Sequence, residues 1–349
     1  MKKVLVGMSG GVDSSVAAVI LQESGYDVSG ITLNLVNKDA NSNRDIIDAK
    51  NVAQKLGIKH TVADFSEAFS KVVINYFVSE YTRGRTPNPC VVCNPDVKFK
   101  YMLEYALNHG FDYIATGHYA KIEYNEGLKR WLLKKSSSSK DQSYFLYRLS
   151  QHQLTHTIFP LGDLEKTQIR EIAQKHNLPV FQKSDSQDIC FIKGKNYVKF
   201  IEDYMGAPMP HGNFIDKNGN VLGTHEGIAR YTIGQSRRLG IALGKQMYVT
   251  KVDPVQNTVT LDECGAVEVT SLIVEKINLI SMDKLEGEIK AEAKIRFAAQ
   301  LVSCTLIPLE DSRVQVVFDK PVKSVTQGQS VVFYDGDIIT GGGIISIDN

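Results

Sequence analysis

Ser9-Gly10-Gly11-Val12-Asp13-Ser14 stands between the apolar run Val4-Leu5-Val6 and the helix-like run Ser15-Val16-Ala17-Ala18-Val19-Ile20-Leu21. A buried strand, a glycine turn with hydroxyl donors and a helix start, in that order, make an anion site. Unpaired backbone N–H groups and the positive end of the helix dipole converge there on one point. Gly10 and Gly11 let the backbone come close to an oxyanion, and Ser9 and Ser14 add hydroxyl donors. A turn that merely joins strand to helix has no need of Ser, Asp and Ser around its glycines. A Walker A loop would end in Gly-Lys-Ser/Thr, and no lysine follows here. The dinucleotide fingerprint G-x-G-x-x-G is absent as well.

Working outward, short apolar runs alternate with helical periodicity. Val28 to Leu35 predicts a second strand, and Ile46, Ile47, Ala49, Val52, Ala53 and Leu56 mark a helix face stopped by Gly57. His60 to Phe65 predicts a third strand. Phe69, Val72, Val73, Tyr76, Phe77 and Tyr81 continue at helical spacing to Gly84, and Phe99, Met102, Leu103 and Ala106 form a helix closed at Gly110. Asp112 to Thr116 then leads into Gly117-His118. This alternation predicts an α/β fold with a doubly wound parallel sheet. Ligands on such sheets bind beyond the carboxyl ends of the strands, where Ser9–Ser14 and Gly117-His118 both fall. After about residue 205 turn signals multiply, at Pro208 to Gly212, Asn218-Gly219 and Asp335-Gly336. Strand-like runs such as Tyr248–Val252 and Val314–Phe318 lie between them. The chain, at 349 residues, exceeds a usual single domain. The expected units are a catalytic domain at 1–205, a small β-rich module at 206–272 and a β-barrel-like domain at 273–349.

The net charge of +1 neither demands nor excludes nucleic acid, so an RNA-binding face must be a local basic patch. Arg237-Arg238 is one candidate. The apolar run after Met1-Lys2-Lys3 is cut short at Ser9, which argues against a secretory signal, and no stretch has the length of a membrane span. Five cysteines, an odd number, speak against a secreted disulfide framework and for a reducing cytoplasm. Cys264 and Cys304 read as small buried hydrophobes. Cys90 and Cys93 form a C-x-x-C inside Thr86-Pro87-Asn88-Pro89-Cys90-Val91-Val92-Cys93-Asn94, and the prolines predict a shaped loop. No second C-x-x-C or His pair completes a zinc ribbon, and the context suits a thioredoxin-type dithiol poorly. Ser136 to Ser139 reads as a surface turn.

The stretch Ser9–Ser14 resembles the pyrophosphate loop of the N-type ATP pyrophosphatases, which have a HUP-like fold and use ATP to adenylate a carbonyl oxygen. Further motifs narrow the resemblance: Gly7 to Ser14, Gly84-Arg85-Thr86-Pro87-Asn88-Pro89, Ala115-Thr116-Gly117-His118-Tyr119 and Lys140-Asp141-Gln142-Ser143-Tyr144-Phe145-Leu146. Asp185 to Phe191, Tyr231-Thr232-Ile233-Gly234-Gln235 and Gly341-Gly342-Gly343-Ile344-Ile345 complete the set. In this order, over nearly the whole chain, they resemble the tRNA-specific 2-thiouridylases, which thiolate the wobble uridine at carbon 2. The resemblance implies ATP on Gly7, Met8, Ser9, Gly10, Gly11, Val12, Asp13, Ser14, Leu33 and Gly117. Asp13 is expected either to help hold Mg²⁺ or to cap the helix N-terminus. It implies tRNA, through its anticodon stem-loop, on Asn88, Pro89, Cys90, His118, Lys140, Asp141, Gln142, Arg296, Phe297 and Gln329, with the target base flipped out beside Asn88–Cys90. A sulfur donor is implied too, either a cysteine desulfurase with its relay protein or sulfide.

In the commonest family account Cys190 carries a persulfide and Cys93 assists its release, forming a Cys93–Cys190 disulfide. Two positions depart from the family. Phe297 stands where many members have tyrosine, so stacking on a base survives without a hydroxyl. Cys90 stands where many have aspartate, and a thiol of pKa about 8.5 replaces a carboxylate poorly. Cys90, Cys93 and Cys190 are then three candidate ligands for a 4Fe–4S cluster with one open iron, favoured here over the persulfide route. Two rival readings are another ATP pyrophosphatase, such as a synthetase, and a non-catalytic RNA-binding protein.

Overall fold

A computed structural model of the chain describes residues 1–36, 43–184, 189–192, 194, 196–263 and 268–346. Strand β1 (Lys3–Gly7) enters directly into the glycine turn, and helix α1 (Val12–Glu23) leaves it. β2 (Asp27–Asn34), α2 (Arg44–Leu56) and β3 (His60–Asp64) follow the expected alternation. α2 is capped by Asn43, whose side chain accepts from Asp45 N, and stopped by Gly57 at φ 67°. The predicted helix ending at Gly84 is one continuous helical run with a wide turn inside it: α3 (Ser66–Phe69), a π-helical segment Ser70–Ile74 and α4 (Asn75–Thr82). A second such run comprises α5 (Pro89–Cys93), a π-helical segment Asn94–Phe99 and α6 (Lys100–Asn108).

β4 (Tyr113–Ala115) returns to the sheet beside β1. A hairpin, β5 (Ala120–Asn125) and β6 (Arg130–Lys135), then leaves the domain. α7 (Gln151–Thr155), β7 (Thr157–Ile158), α8 (Lys166–Lys175) and α9 (Tyr197–Met205) complete the first unit. The parallel sheet runs β3-β2-β1-β4-β7. Val4 and Val6 pack with α1, α2 and α8, whereas Leu5 packs with α6. A strand buried on both faces has no polar alternation, which explains the unbroken apolar run at its start.

The central unit is a four-stranded sheet of order β10-β11-β8-β9, built from β8 (Gly212–Ile215), β9 (Val221–His225), β10 (Tyr248–Asp253) and β11 (Thr258–Asp262). Six further strands are β12 (Glu268–Leu279), β13 (Ile289–Lys294), β14 (Val302–Pro308), β15 (Val314–Lys323), β16 (Ser330–Asp335) and β17 (Ile338–Ser346). They pair in the order β12-β15-β14-β13-β16-β17, and a β12–β17 pairing closes the barrel. Closure pairs β12 and β17, which would otherwise be the edges of the six strands.

The barrel is not a separate bead. Ile338 and Ile339 of β17 pair with Lys134 and Leu133 of β6, so the hairpin of the first unit extends the barrel sheet. Tyr144 Oη donates to Ser330 O at 2.8 Å, and Asn278 Nδ2 donates to Tyr147 O at 2.7 Å. The glycine row of β17 permits this approach. A Cβ on Gly342 would lie 2.6 Å from Val331 O and 2.7 Å from the Tyr147 ring.

Candidate active site

At the carboxyl end of β1 the backbone turns at Gly10, φ +70°, so tightly that a Cβ there would sit 2.2 Å from Asp45 O. Ser9 N donates to Ser14 Oγ at 3.2 Å, and Ser14 Oγ donates to Gly11 O at 3.3 Å, which folds the loop around the start of α1. Gly117 backs it: a Cβ at that position would meet Ser14 N at 2.7 Å. The loop opens into a cavity of about 360 Å³. Of the expected nucleotide residues Gly7, Met8, Ser9, Asp13, Ser14, Leu33 and Gly117 line it. Gly10, Gly11 and Val12 shape the turn behind, Val12 being buried in the core.

Asp13 does not cap the helix. The α1 N-terminus carries no side-chain cap, and the Asp13 carboxylate accepts from Lys166 Nζ at 2.8 and 2.9 Å and from Tyr119 Oη at 2.7 Å. The other lining carboxylate, Asp45, is held with Asp48 by Lys183, whose Nζ also donates to Gly10 O at 3.0 Å. Burial works against the Lys183 ammonium, but the two carboxylates outweigh it and hold its pKa up. Thus two lysines flank the loop that has none of its own. Sequence reasoning missed both, because their partners are far away along the chain.

The C-x-x-C segment is a helix, not the loop its prolines suggest. Pro89 occupies the first turn of α5, where the missing N–H costs nothing, and Asn88 Oδ1 accepts from Cys90 N at 3.2 Å as the cap. Pro95 falls at the start of the π-helical segment. That wide turn, with its i→i+5 pattern, brings Lys98 round toward Cys93. Cys93 is 5% exposed and packs among Phe69, Phe77, Val97 and Phe191. Burial, only partly countered by Lys98, pushes its thiol up to about 12. Cys90 reaches the surface, yet the surrounding protein pushes its pKa up as well. Cys190 is exposed and lines the same cavity as the loop, as does Lys98. The Lys98 ammonium is penalised by burial, but Cys93, Cys190 and Cys90 together hold its pKa above the ordinary value. The three thiols therefore share one neighbourhood around the Lys98 ammonium.

Among the described residues no three His, Cys, Asp or Glu side chains are disposed to hold a metal ion. Cys93 is packed in an apolar core, whereas Cys90 and Cys190 are exposed. The expected 4Fe–4S ligation finds no support in this donor set. All described cysteines are free thiols, and Cys304 lies in the barrel core as expected. Cys264 and Asp185 to Asp188 lie outside the described residues.

Of the residues expected to meet tRNA, some line the cavity and others do not. His118 and Gln142 line the cavity. His118 Nδ1 hydrogen-bonds Thr116 Oγ1 at 2.7 Å, and burial together with the Lys98 charge pulls its pKa down to about 3, so the ring is neutral. Gln142 Oε1 accepts from Tyr119 N at 3.1 Å. Asp141 accepts from Ser136 N and from the Ser143 hydroxyl, and so ties its own turn together. Lys140 N donates to Ser138 Oγ at 3.1 Å within the expected surface turn. Phe297, 40% exposed, packs against Phe145 with ring centroids 4.5 Å apart and planes tilted by 36°, Lys294 Nζ lies 5.6 Å from the centre of its ring, and Arg296 beside it is exposed. Gln329 is engaged with protein: its Nε2 donates to Thr86 O at 2.6 Å.

Comparison with known proteins shows the family. Family models described as the tRNA methyl transferase HUP domain, the tRNA methyl transferase PRC-barrel domain and the aminomethyltransferase beta-barrel domain match residues 2–194, 198–262 and 269–345. The tRNA-specific 2-thiouridylase MnmA of Acetivibrio thermocellus is 51% identical over 355 residues, covering 99% of each chain. That of Clostridium perfringens is 48% identical, over 99% of this chain and 98% of its own. MnmA 2 of Caldanaerobacter subterraneus is 49% identical, over 98% and 97%. Among solved structures, a 4-thiouridine synthetase–RNA complex with bound ATP is 17% identical, over 58% of this chain and 50% of its own, with a TM-score of 0.35. Three successive domain matches and near-full-length identity close to one half lead to one conclusion: this chain belongs to the tRNA-specific 2-thiouridylase family.

Proposed function

We propose that this protein replaces the carbonyl oxygen at carbon 2 of the tRNA wobble uridine by sulfur, consuming ATP and releasing AMP and pyrophosphate. The observation that carries the reading is that the anion-binding loop and Cys190 line one cavity, with Cys93 and Cys90 beside it. The uridine oxygen attacks the α-phosphate, the bond to pyrophosphate breaks, and N3 of the base gives up its proton. The backbone donors of Ser9–Ser14 hold the departing charge, a preorganised form of electrostatic stabilisation. When bound, Mg²⁺ would neutralise phosphate charge. Asp13 is the carboxylate placed to meet it, since Mg²⁺ needs only one or two protein carboxylates besides the phosphates.

Sulfur delivery is assigned to cysteine. A Cys190 persulfide attacks carbon 2, and the bond from carbon 2 to oxygen breaks to release AMP. Cys93 then attacks Cys190 Sγ, the persulfide S–S bond breaks, and its electron pair forms the C=S bond. The Cys93 proton ends on N3, and a Cys93–Cys190 disulfide remains for an external dithiol to reduce. A protonated Cys93 suits this order, because the thiol stays unreactive until its turn. The base would rest beside Asn88, Pro89 and Cys90, with His118 and Gln142 on the cavity wall. Arg296 and Phe297 would take the anticodon arm. The donor would be a cysteine desulfurase with its relay protein, or sulfide. We place the reaction in the cytoplasm, where free thiols persist. Among the described residues no helix is long and apolar enough to cross a membrane.

The test is incubation of the chain with unmodified tRNA, ATP, Mg²⁺ and a persulfide donor, followed by mass spectrometry of nucleosides. We expect 2-thiouridine with stoichiometric AMP. Cys190→Ser should lose the thiolated product while still releasing pyrophosphate. Retention of full thiolation by Cys93→Ala and Cys190→Ser would overturn the assignment of sulfur delivery to cysteine, whereas pyrophosphate release with no 2-thiouridine from the wild type would favour a synthetase that uses the loop alone.

A further inference from the structure

We infer that Gln329 is a positioning residue, which acts through the Thr86 carbonyl on the helix that carries Cys90 and Cys93. The inference rests on the thiolation reading and departs from the expectation that Gln329 meets tRNA. Thr86 sits midway in the segment joining α4 to α5, and every polar group it has is satisfied from outside its own domain. Its N–H donates to Gln327 O at 3.0 Å, its carbonyl accepts from Gln329 Nε2 at 2.6 Å, and its hydroxyl pairs with Thr232 Oγ1 at 3.1 Å. Gln327 and Gln329 belong to the barrel turn between β15 and β16, and Thr232 to the central unit.

The backbones are packed closely enough to make this a clamp. Gly84, at φ +70°, would bring a Cβ to 2.8 Å from Val252 Cγ1 in β10. Gly328, at φ +85°, would bring one to 3.1 Å from Arg85 Cβ. Only Pro87, buried and with its φ fixed by the ring, separates Thr86 from Asn88, the cap of α5. A displacement of the Thr86 carbonyl therefore passes through a stiff link to the helix start. From there it reaches Cys90, whose N–H the cap holds, and Cys93 one turn on. All three units thereby fix the place where the base and the sulfur must meet.

The experiment compares full-length wild type with Gln329→Ala, Gln329→Glu (size kept, donor lost), Thr232→Val and Thr232→Ser. Three quantities are read: hydrogen exchange of residues 84–93 without tRNA, the tRNA dissociation constant at fixed salt, and the single-turnover rate of 2-thiouridine formation at saturating tRNA and ATP. We expect faster exchange over 84–93 in both Gln329 variants and Thr232→Val. Their tRNA affinity should stay within about twofold and their saturated rate should fall at least about tenfold, since a 1 Å misplacement can cost about 100-fold. Thr232→Ser should match wild type. A weaker tRNA affinity with an unchanged saturated rate overturns the proposal and makes Gln329 a tRNA contact. Unchanged exchange overturns it equally, and that arm needs no catalysis. A wild-type protein that makes no 2-thiouridine defeats the thiolation reading and leaves the exchange comparison to judge the clamp. Should Gln329→Ala fail to fold, Thr232→Val breaks the same residue's contact from the other side.

Discussion

Gly10 shows how a single missing Cβ sets up the chemistry. Its positive φ and the 2.2 Å approach of Asp45 O leave no room for a side chain. Gly10→Ala should therefore cost about 1–3 kcal/mol of stability and weaken ATP binding at least tenfold, as read by thermal unfolding and nucleotide titration. His118 is the corresponding case in electrostatics. Its folded pKa of about 3 lies below the ordinary 6.5, because burial and then Lys98 disfavour the imidazolium. As pH falls, the unfolded chain takes up this proton first. The stability that depends on the neutral ring is complete above about pH 6.5 and is lost progressively down to about pH 3. Urea unfolding at a series of pH values should show a shallower acid fall for His118→Gln, by up to one proton. An unchanged slope would mean that the ring protonates freely.

At the scale of the element, α5 illustrates how two prolines can read as a loop and fold as a helix. Pro89 supplies the first turn, Asn88 caps it, and Pro95 falls where the helix widens into its π-helical segment. Asn88→Ala removes the acceptor for Cys90 N and should cost about 1 kcal/mol, whereas Asn88→Asp keeps the cap and most of the stability. The wide turn has a chemical consequence as well, because it brings Lys98 to the thiols. With Cys93 held up to about 12 and Cys190 exposed, iodoacetamide at pH 8 should alkylate Cys190 long before Cys93. Peptide mass mapping over time reads the order, and equal rates would show that Cys93 is not buried in solution.

Across the whole molecule the barrel and the parallel-sheet domain are joined by strand pairing, not by a linker. The β5–β6 hairpin leaves one unit to extend the sheet of another, and Tyr144 and Tyr147 pack under Ser330 and Gly342. Gly342→Ala pushes a methyl group into Val331 O and the Tyr147 ring and should cost about 1–3 kcal/mol. Because the contact spans the junction, calorimetry should show the two domains losing stability together. Two separate transitions, only one of them shifted, would show that the junction is weak.

The short-range signals were legible from residues 1 to 117. Apolar Val4–Val6, the glycines at 10 and 11 and the period of α1 and α2 depend on neighbours within a turn, so the parallel sheet and its loop follow from local pattern alone. The same is true of Cys304 as a core residue. The hairpin at 120–135 escaped notice because its pairing partner is β17, and alternation in an isolated hairpin does not say which sheet it joins. Asp13 was legible as part of the loop, but its ion pair with Lys166 spans 153 residues. Gln329 meets Thr86 across 243. By itself, the sequence determined an anion-binding strand–turn–helix and a β-rich remainder, since dihedral preference and side-chain period act locally. Only the tertiary structure decided which lysines neutralise the loop, that Cys93 faces an apolar core, and that Gln329 holds the helix bearing the thiols. Those outcomes depend on where the chain returns in space, and no local preference encodes that distance.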